Sequence, residues 1–425
     1  MIETLRKYNF WEKSPSRIGY WRERYISIIS KYLNNSLVKV ILGQRRAGKS
    51  YLLRMIIQHL IQTTRVSPQN ILYINKDIHE LEFIQDSQAL LRTIGAYQKE
   101  LNISGKIYIF LDEVQEIADW EKAVNSLSQD YMTEYELFIT GSNAKLLSAE
   151  LSTYISGRYL RFEVFPFSYQ EYLGLHQYAL GKQSFVSYLQ AGGMPESYGL
   201  ADEEMKVNYY RSLKDSILLR DIVHRHKIRD IELLERLIAL LTDSIGSYFS
   251  VNSVVKYLRS KGTHTNFETI GAYLSYLQDA YFIHESPRYD LKGKKILSGE
   301  KKYYLNDIGF KYFLASSFDF GIGKYLENIV FLYLKHNGYS VYTGKIKDQE
   351  IDFIAEKQGS KTYIQVAYLL ADDAVVEREF GNLQMIPDHY EKVVITMDDV
   401  NFGSRQGIKH IQAWEALADH NGIRR

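Results

Sequence analysis

The segment Gly43-Gln44-Arg45-Arg46-Ala47-Gly48-Lys49-Ser50 constrains this 425-residue chain more than any other. It matches G-x-x-x-x-G-K-[ST] in full. An apolar run, Leu37 to Leu42, precedes it, and helical periodicity follows from Lys49 to about Gln62. A strand that ends in a glycine loop and re-enters as a helix forms a phosphate cradle. Its backbone N–H groups wrap phosphate oxygens, and the helix N-terminus adds a favourable dipole. The nucleotide is therefore expected along Gly43 to Tyr51, with Lys49 at its β- and γ-phosphates and the Ser50 hydroxyl on Mg²⁺.

Apolar runs at Ile71–Asn75, Lys106–Asp112, Glu136–Gly141 and Leu160–Phe165 alternate with helical stretches, the pattern of a parallel α/β sheet. The run Ile107-Tyr-Ile-Phe-Leu111 ends in Asp112-Glu113, which lies 112 − 49 = 63 residues beyond the loop lysine. Asp112 is expected to hold Mg²⁺ through its water shell, and Glu113 to orient and polarise the attacking water. Asn143, after the fourth strand, reads either as a sensor of the γ-phosphate or as a turn residue. Arg158, in Ser156-Gly-Arg158, reads either as an arginine finger or as a surface arginine.

Composition narrows the remaining classes. Lys plus Arg is 52 and Asp plus Glu is 51, so the net charge of +1 excludes a chain that is basic throughout. Hydrophobic residues at 45% and charged residues at 24% exclude disorder over most of the length. The absence of Cys excludes disulfides, thiolate nucleophiles and Cys-ligated metals. The amino-terminal residues lack the apolar core of a signal peptide, and no run nears the roughly 18 apolar residues of a membrane span. A soluble, cytoplasmic protein is expected. The 35 tyrosines fit half-buried amphipathic positions or base-stacking surfaces.

These residues resemble an AAA-type P-loop ATPase. More narrowly, they are similar to a prokaryotic family, related to the archaeal-type ATPases, that joins such a module to a nuclease-like carboxy-terminal domain. The resemblance is carried by GQRRAGKSYLLR, YINKD, FLDEVQEIADWEKAV, FITGSNAKLL, SGRYLRFEVFPFSYQEYL and GGMPE (Gly192 to Glu196), and runs from about residue 17 nearly to the end. It implies ATP rather than GTP as the nucleotide, and it leaves the biological role open.

The expected order is a P-loop core over 1–166, a helical lid or linker over 167–230, a winged-helix-like domain over 231–310 and a nuclease-fold domain over 311–425. In the third part, helices at Ile231–Thr242, Ser250–Gly262 and Asn266–Asp279 precede two strands of a wing, Tyr281–Tyr289 and Lys301–Asp307. Arg288 to Lys302 holds six Lys or Arg against two acids, 6 − 2 = +4, which suits phosphate contacts. The presumed recognition helix has Glu268 and Asp279 but no Lys or Arg, so DNA and a protein partner both remain open. The last hundred residues resemble a restriction-endonuclease-like fold. Glu327, Glu350 and Asp352 supply carboxylates, but Gln365-Val366-Ala367 replaces the acid-x-Lys pair of such nucleases, so no cutting is expected.

Two functions follow. One is a Mg²⁺-dependent ATPase that couples turnover to conformational change on DNA or a protein, with assembly into a homo-oligomer if Arg158 acts in trans. The other is a nucleotide-gated switch or scaffold that works through its bound state.

Overall fold

The computed structural model describes every residue except 13–16, 148–154, 156, 316–320, 419–422 and 424–425. The chain divides into two units, Met1–Val164 and Phe165–Arg425.

In the first unit the chain order is α1 (Ile2–Tyr8), α2 (Glu23–Ser30), β1 (Val38–Leu42), α3 (Lys49–Gln62), β2 (Ile71–Asn75), α4 (Ser87–Glu100), β3 (Ile107–Asp112), α5 (Trp120–Ser128), β4 (Tyr135–Gly141) and β5 (Tyr159–Glu163). All five strands are parallel, in the order β2-β3-β4-β1-β5. Every residue of β1 and β3 is buried, as expected where helices cover both faces of a parallel sheet. On one face, Leu52, Leu53 and Ile56 of α3 pack on Ile41, Phe110 and Phe138. β2 would be an open edge, but the chain's own amino terminus covers it. Asn9 exchanges hydrogen bonds with the Tyr73 backbone, and the Trp11 indole donates to the Ile71 carbonyl at 2.7 Å.

The second unit opens with helices α6 (Tyr169–His176), α7 (Lys182–Ala191) and α8 (Glu203–Ser216), then a π-helical segment, Ile217–His224. Next come α9 (Ile231–Asp243), β6 (Tyr248–Phe249), α10 (Val251–Ser260), α11 (Phe267–Asp279), β7 (Ile283–Ser286), β8 (Arg288–Asp290), β9 (Lys295–Ile296) and β10 (Lys301–Leu305). The chain continues through α12 (Gly309–Leu314), α13 (Ile322–His336), β11 (Ser340–Ile346), β12 (Gln349–Lys357), β13 (Ser360–Val366), α14 (Asp373–Gln384), β14 (Glu391–Thr396), β15 (Ser404–Arg405) and β16 (Ile408–Gln412). β6, β10 and β7 form a small antiparallel sheet. An eight-stranded mixed sheet runs β15-β16-β14-β13-β12-β11-β8-β9.

β7 and β10 pair as the two wing strands were expected to. Arg288–Asp290 departs from that hairpin and pairs in parallel with β11 of the larger sheet. α13 packs on one face of that sheet, against Phe353 and Ile364, and α14 on the other, through Phe380 and Leu383. One apolar core runs from Tyr169 through the small sheet to Trp414, so the boundaries expected at 230/231 and 310/311 fall inside a shared core. Among the described residues, no helix is long and apolar enough to cross a membrane.

Candidate functional site

The loop after β1 is possible because its glycines take positions that side chains cannot. A Cβ on Gly43 would sit 2.2 Å from the Val164 carbonyl oxygen, and Gly48 has φ +101°. Arg46, also left-handed at φ 64°, points outward, whereas Gln44, Ala47 and Lys49 are buried. The Lys49 ammonium donates to the loop's own Gly43 and Gln44 carbonyls at 3.1 and 3.2 Å, and stands 3.6 Å from Glu113 Oε1. Tyr51 lies half-exposed beneath the Arg54 guanidinium.

The strand order places β4 between β1 and β3, so the ends of three strands converge on this loop. Ile41 is paired with Thr140, and Leu111 with Ile139, which sets Asp112 beside Thr140. The Thr140 hydroxyl donates to Asp112 Oδ1 at 2.6 Å and accepts the Glu113 backbone N–H at 2.9 Å. Tyr73, one pleat back on the β2 face that Asp112 shares, donates its hydroxyl to Asp112 Oδ2 at 2.7 Å. Burial pushes the Asp112 carboxyl up, and donors from Thr140, Tyr73 and Ser50 act against it. Burial also pushes the Glu113 carboxyl up. Lys49, Gln115 and Arg45 outweigh that and hold it below the ordinary carboxylate range.

Ser50 and Asp112 would offer hard oxygen ligands, one from the loop and one from the end of β3. This set suits Mg²⁺, which takes few protein ligands and keeps water and phosphate oxygens for the rest.

Lys49, Ser50, Asp112 and Glu113 therefore come together, and Asn143 is fully buried just past β4. Its Oδ1 accepts the Lys145 backbone N–H at 2.8 Å, while its Nδ2 has no partner among the described residues. Arg158 stands apart. It is exposed, and its carbonyl accepts the Val38 N–H at the start of β1. The phosphate loop leaves the other end of that strand, roughly 15 Å away at the rise of a β-strand. Ser156 lies outside the described residues. The sequence reading missed Thr140, Tyr73 and Gln115. The two-residue period of β2 could have pointed to Tyr73, and alignment of the β3 and β4 ends could have pointed to Thr140.

In the second unit the segment 288–302 carries less free charge than its count implied. Lys302 is buried and donates to Glu327 at 2.9 Å, with Glu350 at 2.5 Å and Asp352 at 3.9 Å. Lys301 pairs with Glu285 at 2.8 Å, which leaves Lys292, Lys294 and Lys295 exposed near the β8–β9 turn. A lysine thus reaches the carboxylate cluster from β10, not from the end of β13, just past which Ala367 stands. The amide of Gln365 accepts the Asp352 backbone N–H at 2.8 Å and donates to Glu379 at 2.9 Å.

Residues 35–173 match the model of the AAA domain family, and residues 182–319 match a domain of unknown function, DUF8612. A Haemophilus influenzae protein described as uncharacterized is 35% identical over 88% of this chain and 92% of its own length. A Methanocaldococcus jannaschii protein described as uncharacterized is 31% identical over 86% of this chain and 80% of its own. Among solved structures, Cdc6p from Pyrobaculum aerophilum aligns at 14% identity over 68% of this chain and 91% of that one, with a TM-score of 0.29.

Proposed function

We propose, because this chain belongs to the protein family of the Haemophilus influenzae and Methanocaldococcus jannaschii relatives and carries an AAA domain, that it binds ATP with Mg²⁺ and hydrolyses it. The observation that supports this most is the convergence of Lys49, Asp112 and Glu113 at the ends of β1 and β3, with Lys49 and Glu113 3.6 Å apart. When phosphate enters, the Lys49 ammonium exchanges loop carbonyls for phosphate oxygens. Ser50 and Asp112 would hold Mg²⁺, which would neutralise charge on the phosphates. Glu113 takes the proton of the attacking water, and Asn143 offers its free N–H to the γ-phosphate or that water.

Turnover in this reading drives a conformational change on DNA or a protein partner. The small sheet with α9 to α11 is proposed as a winged helix, with Lys292, Lys294 and Lys295 as its phosphate-facing charges. Arg158, at the strand end away from its own loop, is proposed as a finger for the nucleotide of a neighbouring copy. The slow switch is the competing reading. Steady-state turnover with and without duplex DNA separates the two: a rise with DNA supports the coupled ATPase, and tight ATP binding without turnover supports the switch.

The carboxy-terminal sheet is proposed as a nuclease-like fold that does not cut. Lys302 neutralises its carboxylates and Gln365 is a neutral, poor Mg²⁺ ligand. DNA and RNA incubated with the protein and Mg²⁺ or Mn²⁺ should stay intact. Cleavage abolished by Asp352→Ala would contradict this.

A further inference from the structure

Glu113 takes a left-handed backbone conformation, φ 55°, and a single 3₁₀ turn, Val114–Glu116, follows it. A non-glycine residue keeps that strained conformation only where its surroundings impose it. The consequence is that residue 115 folds back over residue 113. Gln115 Nε2 donates to Glu113 Oε2 at 2.5 Å. Its other amide atom, Oε1, is buried and has no partner among the described residues. A Cβ built on Gly141, the last residue of β4, would lie 2.9 Å from that oxygen. Gly141 therefore makes room for the Gln115 amide.

Two residues beyond Gly141 the chain carries an unpaired donor. Asn143 is fully buried, and its Nδ2 has no partner among the described residues. Buried polar atoms in folded proteins are nearly always paired, so two orphans at adjoining strand ends point to a polar ligand. Glu113, Gln115 Oε1 and Asn143 Nδ2 together offer two acceptors and one donor, the complement of a single water molecule.

We infer that Gln115 is a second holder of the attacking water, fixing the base with its N–H and the nucleophile with its carbonyl oxygen. The inference rests on the ATP-hydrolysis reading and adds a residue to it. In the step, the water oxygen bonds to the γ-phosphorus as the bond to the β–γ bridging oxygen breaks. Glu113 takes one water proton, and ADP leaves with the electron pair of the broken bond. The second O–H of the water stays on the product phosphate and points at Gln115 Oε1 throughout. A glutamine that only packed against the turn would leave the chemical step untouched.

The test compares the full-length wild type with Gln115→Leu and Gly141→Ala. ATP affinity is measured by equilibrium binding, KM and kcat in steady state, and cleavage in a single turnover. Gln115→Leu should keep ATP affinity and KM within about threefold and lower kcat and the single-turnover rate roughly 10- to 100-fold, as misplacement of a nucleophile does. Gly141→Ala removes no polar group but pushes on Gln115 Oε1, and should lower kcat in the same direction with KM held. If Gln115→Leu fails to fold, Gly141→Ala decides alone. Undiminished kcat in the folded variants, or a loss of ATP binding that accounts for the loss of rate, overturns the inference. ATP binding without turnover by the wild type overturns the hydrolysis reading itself.

Discussion

Lys49 and Glu113 are each buried, and each would be costly without the other or a ligand. Without nucleotide they lean on each other and on loop carbonyls, so phosphate binding is an exchange of partners. Replacing Lys49 by Ala removes the ammonium proposed to meet the terminal phosphates. ATP affinity should fall by roughly 100-fold with the melting profile little changed, as charge-assisted contacts of this kind imply. Undiminished affinity in a binding titration would sink the assignment of the loop. Most of this site was legible in the sequence, because a P-loop and an acidic strand end are local patterns. Thr140 and Tyr73 were not. Their roles come from register between strands far apart in the chain, so the two-residue period of β2 points to Tyr73 only once its pairing with β3 is known.

The recurring device at the level of elements is a buried carboxylate that takes its proton donor from a tyrosine on another segment. Tyr73 serves Asp112 at 2.7 Å, Tyr210 serves Asp307 at 2.8 Å, and Tyr304 serves Glu327 at 2.7 Å. Part of the tyrosine richness therefore has a structural explanation. Asp307 also accepts the Gly309 N–H at 2.9 Å and the backbone N–H of Gly193, so it ties the GGMPE turn to the end of β10. Burial raises its carboxyl to about 6, against the pull of those donors. A carboxyl raised on folding takes up a proton as the chain folds. Its contribution is therefore full below about pH 4 and is lost as pH rises through 6, roughly 3 kcal/mol in all. Across pH 4 to 7, unfolding free energies of the wild type should fall relative to those of Asp307→Asn. Parallel curves would contradict it.

Lys302 makes the same point for cations. It joins β10 to carboxylates of α13 and β12, and Lys302→Met should cost about 3–5 kcal/mol in denaturant unfolding because three acids lose their counter-charge. A loss under 1 kcal/mol would show the cluster to be solvated. The sequence showed these lysines as one basic run; only the pairing of β10 with β7 turns Lys302 inward. The same limit hid the departure of Arg288–Asp290 to the larger sheet, since a three-residue strand carries no periodicity.

For the whole molecule, the parallel order β2-β3-β4-β1-β5 sets Arg158 and the phosphate loop at opposite ends of adjoining strands. If Arg158 is the proposed finger, that placement requires it to serve another copy. Specific activity should therefore rise with protein concentration, and mixing Arg158→Ala with Glu113→Gln should restore activity that neither has alone. Activity independent of concentration, with no rescue on mixing, would leave Arg158 a surface residue. The central claim is narrower: one site binds Mg²⁺ and ATP, and Glu113 is its base. The direct measurement is ATP binding and single-turnover cleavage in the wild type and in Glu113→Gln. The expected result is equal affinity within about threefold and cleavage slower by roughly 100-fold or more, since an amide cannot take the water's proton. Cleavage at the wild-type rate in Glu113→Gln would contradict it.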